Sequence, residues 1–200
     1  MQAAAAKQER WQQLQQGCAS CGLCSLGSLR TQVVLGRGNA NAPVMLIGEA
    51  PGEQEDACGQ PFVGRAGQLL ETLLARAELN SAQDLYICNM LKCRPPANRK
   101  PTTSEMALCK PWLLEQIALV DPPLIVLAGA SALVGVLGIK GSITKLRGHW
   151  QQWGERQCLP IFHPSYLLRF GSQAEGSPRQ LTLKDLQDVR KRLQQHGWSR

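Results

Sequence analysis

Apolar and polar positions divide this 200-residue chain into short apolar runs and longer helical patterns. Val44-Met45-Leu46-Ile47 is bounded by Pro43 and Gly48 and reads as a buried strand. Leu69, Leu70, Leu73, Leu74 and Ala77 then recur at helical spacing and predict a helix over about 66–79 with one apolar face. A second strand is expected over 85–91. Thr102, with Glu105 three residues later, is a capping-box signature for a helix carrying Met106, Cys109, Leu113 and Ile117. Pro111 removes an amide from that helix and is expected to kink or interrupt it. A strand at 124–128, a helix at 130–137 and a strand at 158–162 follow, and Leu183, Leu186, Val189 and Leu193 mark a closing helix. Four strands alternating with helices imply a parallel sheet covered on both faces. Ahead of this core, residues 1–16 read as a Gln/Ala-rich amphipathic helix anchored by Trp11 and Leu14. Residues 17–24 read as a tight cysteine loop and 25–42 as a Gly- and Asn-rich connection. The length suits one domain over 1–200, with 1–24 as its N-terminal helix and cysteine loop and 43–198 as its α/β core. No internal repeat is visible.

Composition changes this picture in three ways. Residues 122–139 carry no charge, but Pro122, Pro123, Gly129, Ser131, Gly135 and Gly138 break the run, so it reads as soluble core rather than a membrane span. The formal charge of +7 favours a polyanionic partner, most simply nucleic acid. Eight cysteines are many for this length, and residues 1–16 contain no apolar leader. Clustered cysteines in a cytoplasmic protein read as metal ligands rather than disulfides. Cys18, Cys21 and Cys24 have C-x2-C-x2-C spacing, and Cys93 and Cys109 lie far downstream. Thiolates suit zinc or an iron–sulfur cluster, and the spacing alone does not separate the two. Cys58, Cys88 and Cys158 are expected to be small buried hydrophobes. His149 and His196 are expected to be surface or satisfied core residues.

The candidate chemistry lies in the loops that follow the strands. Gly48-Glu49-Ala50-Pro51-Gly52-Glu53-Gln54-Glu55-Asp56 opens from the first strand and leads toward a helix, where parallel α/β folds place ligands. Its four carboxylates within eight residues would repel a phosphate. His163-Pro164-Ser165-Tyr166-Leu167-Leu168-Arg169 is a second polar loop after an apolar run. Together with Pro61-Phe62-Val63-Gly64, Asn89, Lys92-Cys93-Arg94-Pro95-Pro96 and Ser142-Ile143-Thr144-Lys145, these motifs resemble the iron–sulfur (family 4) uracil-DNA glycosylases. Order and spacing hold from about Cys18 to the final helix.

The resemblance implies a three-layer α/β/α sandwich with a central four-stranded, mainly parallel sheet. It also implies hydrolysis of the N-glycosidic bond of uracil in single- or double-stranded DNA by a monomer. Its [4Fe–4S] ligands correspond to Cys18, Cys21, Cys93 and Cys109, with Cys24 extra to the pattern. Uracil would be held by Gly48, Ala50, Glu55, Phe62 and Asn89. Phe62 would stack on the base, Asn89 would read O4 and N3–H, and Glu55 would stand beside C5 to exclude thymine. His163 would donate to uracil O2 as charge gathers there. The better-known uracil glycosylases carry Gly-Gln-Asp-Pro-Tyr, whose Asp positions water; Ala50 and Gly52 stand at the Asp and Tyr places here. Glu49 is then the neighbouring candidate for positioning water, with bracing of the loop as its alternative role. DNA contacts are expected from Arg94, Lys145, Arg147, Leu167 and Arg169, with Leu167 as an apolar wedge.

Two rival readings remain at this point. One is a uracil-DNA binder without turnover, whose cross-linking members carry an extra His that residues 94–103 lack. The other is a zinc-stabilised DNA-binding module.

Overall fold

The computed structural model describes residues 2–170, 172–195, 197 and 198; His196 lies outside them. In chain order the elements are α1 (Gln2–Ala19), α2 (Leu26–Leu29), β1 (Arg37–Gly38), β2 (Val44–Gly48), α3 (Glu53–Cys58), α4 (Arg65–Arg76) and β3 (Leu85–Asn89). They continue with α5 (Thr103–Val120), β4 (Leu124–Ala128), α6 (Ala130–Leu137), α7 (Ile143–Leu146), β5 (Gln151–Trp153), β6 (Arg156–Ile161), α8 (Pro164–Leu167) and α9 (Pro178–Gln195).

The sheet has six strands in the order β1-β3-β2-β4-β6-β5. The four inner strands are parallel and are those the apolar runs predict. The two edge strands are antiparallel and exceed the expected four. Arg37–Gly38 and Gln151–Trp153 are two and three residues long and largely polar, too short to show any periodicity.

Every residue of β2, β3 and β4 is buried, because helices cover both faces of the sheet. Successive side chains point to opposite faces, so the runs divide between two cores. Val44, Leu46, Leu85, Ile87, Leu124, Val126, Leu159 and Ile161 meet Leu70, Leu73 and Leu74 of α4 and Leu183, Leu186 and Val189 of α9. Met45, Ile47, Cys88, Ile125, Leu127 and Cys158 meet Leu113 and Ile117 of α5 and Ala132 and Leu133 of α6. This is the expected three-layer arrangement.

Three local expectations are corrected. Helix α1 runs to Ala19, so Cys18 sits in its last turn rather than in a loop, buried with Leu14 against Leu119. Helix α5 is not interrupted at Pro111, which lies inside it. One missing amide there is outweighed by the capping box, in which Thr102 and Glu105 bond reciprocally, and by burial of Leu113, Ile117 and Val120. Cys58 ends α3 exposed, whereas Cys88 and Cys158 are core residues as expected. No helix among the described residues is long and apolar enough to cross a membrane.

Candidate active site and cysteine pocket

Parallel pairing ends the inner strands at one edge. Gly48 aligns with Asn89, Ile47 with Leu127, and Ala128 with Ile161. The residues that follow each strand are therefore neighbours. The loop after β2 is tied to the loop after β3 by Met90 N–H to Gly48 O at 3.0 Å and Leu91 N–H to Glu49 O at 3.1 Å. Between these loops lies a cavity of about 220 Å³. Of the expected base-binding and catalytic residues it is lined by Glu49, Ala50, Glu55, Phe62, Asn89 and His163. Gly48 is not among the lining residues but lies against Asn89 and Phe62. Asn98, Arg99 and Ser165 also line the cavity, without having been assigned a place in the base pocket.

Asn89 ends β3 only 2% exposed. Its side-chain oxygen is buried without a hydrogen-bond partner. A buried acceptor in that state costs about 1–3 kcal/mol, so it marks a place where a donor belongs. Gly48 is the small residue that allows this geometry, since a Cβ there would overlap Asn89 Oδ1 and the Phe62 ring. Phe62 itself adopts φ 55°, an unusual conformation for a bulky residue, and is 7% exposed. Glu55 braces the turn behind it. Its Oε1 accepts from Val63 N–H at 3.0 Å and Gly64 N–H at 2.9 Å, and its Oε2 accepts from Gly52 N–H at 3.1 Å. Three amides fix that carboxylate in place at the cavity wall.

His163 follows β6 and caps α8. Ser165 N–H donates to its Nδ1 at 3.2 Å, and Ser165 Oγ lies 2.7 Å from the same nitrogen. A backbone amide only donates, so Nδ1 is the acceptor and the neutral ring carries its proton on Nε2. The imidazole is half covered from solvent, yet neighbouring atoms crowd it closely. Burial pushes its pKa below the ordinary value, opposed by the Glu49 and Glu55 carboxylates. The ring faces Phe62 with centroids 5.9 Å apart. Gly129, at φ +93°, lets β4 turn into α6 beside it; a Cβ there would lie 3.0 Å from His163 Cβ. In the first turn of α6, Ser131 Oγ donates to Glu49 Oε2. Ser131 gave no sequence signal, because it lies within the uncharged stretch read only as core.

The expected DNA contacts divide. Lys145 and Arg169 are exposed. Arg94 is half-buried, donating from Nε to Asn98 Oδ1 at 2.8 Å. Arg147 is a correction: its guanidinium is held inside by Asp185, with Nε to Oδ2 at 2.8 Å, and it lies over the Phe162 ring. Leu167 is also corrected. It is 0% exposed and part of the core under α4 and α9, so it is not a free wedge. Arg99 is engaged twice by Glu105, at 2.9 and 2.6 Å, which holds that carboxyl down at about pKa 2.

Cys18, Cys21, Cys24, Cys93 and Cys109 line a second pocket, with Leu23, Leu108 and Trp112 as apolar wall. All eight cysteines of the chain are free thiols. Burial pushes Cys18 up to about 12 and raises Cys93 and Cys109, so these thiols need a nearby cation to ionise. Arg30 supplies part of it, donating to Cys93 Sγ at 3.1 Å and to Cys21 O at 3.2 Å. Among the described residues no three ligand side chains converge on a single-ion position. The five thiols line one apolar-walled pocket, a soft donor set that suits zinc or an iron–sulfur group. Lys92, 2% exposed, links the two sites: it lines the thiol pocket and donates from Nζ to Asn89 O at 2.6 Å.

A family model described as "Uracil DNA glycosylase superfamily" matches residues 35–187. The chain is 46% identical to the Type-4 uracil-DNA glycosylase of Thermotoga maritima, over 88% of this chain and 91% of that one. It is 40% identical to the Type-4 uracil-DNA glycosylase of Saccharolobus solfataricus, over 74% of this chain and 72% of the relative. The corresponding protein of Archaeoglobus fulgidus is 38% identical, over 74% and 78%. Matches of this identity and coverage, together with a cavity at the ends of the parallel strands, mean that the chain belongs to the type-4 uracil-DNA glycosylases.

Proposed function

We propose that this protein is a DNA-repair hydrolase that releases uracil from DNA, with the cavity at the strand ends as its base pocket. The observation that carries the residue assignment is the unpartnered, buried Asn89 Oδ1 facing a cavity shared with Phe62 and His163. Uracil N3–H is the donor this acceptor lacks, and the amide nitrogen then meets O4. The glycosidic bond is inaccessible in stacked DNA, so the nucleotide must be extruded or already unpaired. Phe62 stacks on the base. The wall formed by Glu55 stands beside C5, where thymine carries a methyl group.

Cleavage of the N1–C1′ bond leaves the electron pair on uracil, and the charge spreads onto O2. A neutral imidazole with its proton on Nε2 donates to that oxygen as the charge develops, the larger electrostatic effect in such a site. Water adds its oxygen to C1′ and loses a proton. Glu49, held by Ser131, orients that water and accepts the proton.

Cys18, Cys21, Cys93 and Cys109 would hold a [4Fe–4S] cluster. When bound it would supply structural tethering of α1 to the segment after β3. The whole chain then acts as one unit and one monomer, and its reduced thiols suit the cytoplasm.

The test is incubation of the iron-loaded protein with single-stranded DNA containing one uracil, followed by alkali. Strand breaks at uracil and none at a matched thymine are expected. Intact strands with bound DNA would leave a binder without turnover instead.

A further inference from the structure

We propose that Lys92 is a positioning residue, a buried cation whose counter-charge is the metal-ligating thiolates and whose grip on the end of β3 aims Asn89. This inference rests on the base-pocket reading above and adds to it a link from the thiol pocket. Lys92 is 2% exposed and among the largest side chains that the protein encloses fully. Its Nζ donates to Asn89 O at 2.6 Å, and among the described residues no carboxylate pairs with it. An ammonium taken out of water with one neutral acceptor is costly unless an opposite charge stands close by. The groups able to supply that charge line the same pocket as Lys92, among them Cys18, Cys93 and Cys109. Cysteine binds a metal as the thiolate, so the loaded site is anionic where this cation is buried. Burial disfavours the Cys18 and Cys109 thiolates, and Lys92 is the foremost group opposing it.

The other end of the link is the base pocket. Asn89 Oδ1 has no partner in the protein, so the backbone beneath the side chain aims it. That backbone is the last residue of β3, and its carbonyl is the atom that Lys92 holds. Lys92 therefore closes the turn between the residue that reads the base and Cys93, the next residue in the chain. A tilt of the Asn89 amide weakens its bonds to uracil N3–H and O4 and leaves contacts to the DNA backbone untouched.

Lys92→Met keeps much of the side-chain length and removes both charge and donor. The backbone stays held by Val34 N–H to Lys92 O at 2.9 Å. In the iron-loaded full chain this variant should lose iron to a chelator at concentrations on the order of 10-fold lower than the wild type. Its reduction potential should move to more negative values, because a nearby cation that favours the added electron is gone. Lys92→Gln, which keeps a donor without the charge, should shift the potential in the same direction. For uracil release from single-stranded DNA, Lys92→Met should lower kcat/KM on the order of 10-fold with the salt slope unchanged. In an Asn89→Leu background the same exchange should cost less than about threefold. Unchanged iron retention and potential in both variants overturn the counter-charge. A shifted potential with fully additive losses in the Asn89→Leu background overturns the link to the base pocket. Should Asn89→Leu alone leave kcat/KM unchanged, the base-pocket reading falls and takes the link with it, while iron retention and potential decide the counter-charge by themselves.

Discussion

Replacing Asn89 by Leu separates the function of this side chain from its cost to the fold. Asn89 is 2% exposed and its Oδ1 has no partner, so the free protein carries an unsatisfied buried acceptor worth about 1–3 kcal/mol. Leucine has nearly the same shape and removes that group. Melting temperature should therefore hold or rise, by about 2–4 °C for each kcal/mol recovered in a domain of this size. Activity should move the other way. Uracil N3–H and O4 would both enter the cavity unpaired, each at about 1–3 kcal/mol. Together they lower kcat/KM by roughly 30-fold to roughly 20,000-fold. The assay is single-turnover and steady-state uracil release from labelled single-stranded DNA, read as alkali-sensitive breaks, beside a thermal melt of the same sample. A variant within about threefold of wild-type kcat/KM would refute the assignment of Asn89. A variant that loses activity and stability together would refute the argument that its oxygen is held unsatisfied for the ligand.

Four further outcomes follow from the same geometry. Burial lowers the His163 pKa in the native state, below the roughly 6.5 of the unfolded chain. As pH falls below that value the unfolded chain takes up a proton the native one refuses, so native stability declines until the lower native pKa is reached. Between about pH 7.5 and about pH 5 the wild type should then lose more melting temperature than His163→Gln, and parallel losses would contradict the burial argument. Arg147→Met leaves Asp185 buried without its partner and should cost about 3–5 kcal/mol, or roughly 6–20 °C in the melt, while the salt slope of DNA binding stays unchanged. Lys145→Ala should do the reverse, reducing that slope by about 1 at constant stability, and exchanged behaviour would return Arg147 to the DNA surface. Cys93→Ser should lose iron and visible absorbance, whereas Cys24→Ser should keep both; iron retained in the first and lost in the second would reassign the ligands.

Much of the architecture was readable before any coordinates. The four inner strands and the helices over 65–76, 103–120, 130–137 and 178–195 follow their apolar patterns. The parallel sheet with two covered faces follows from their alternation, because strands buried on both sides must be apolar throughout. Edge strands β1 and β5 were not readable, since pairing of two or three polar residues depends on what already stands beside them. Pro111 does not end its helix for a related reason. A lost amide is a local cost, and the burial that outweighs it is tertiary.

The chain by itself determined which residue types reach the strand ends, and the motifs around Glu49, Asn89 and His163 were legible because they sit where apolar runs stop, whereas Phe62, between α3 and α4, was legible only through the family resemblance. Only the tertiary structure decided what each side chain is free to do. Arg147 and Arg169 look equivalent in sequence, yet one is held by Asp185 inside the protein and the other is exposed. Leu167 and Phe170 are both apolar residues after one strand, yet one is core and the other surface. Ser131 acts through a partner distant in sequence, Glu49, whereas Arg99 and Lys92 bond to the nearby Glu105 and Asn89 and reach a site through the shape of its cavity. Charge, hydrogen-bonding capacity and hydrophobicity belong to the residue, whereas whether they are spent internally or left for a ligand depends on partners that only folding brings within reach.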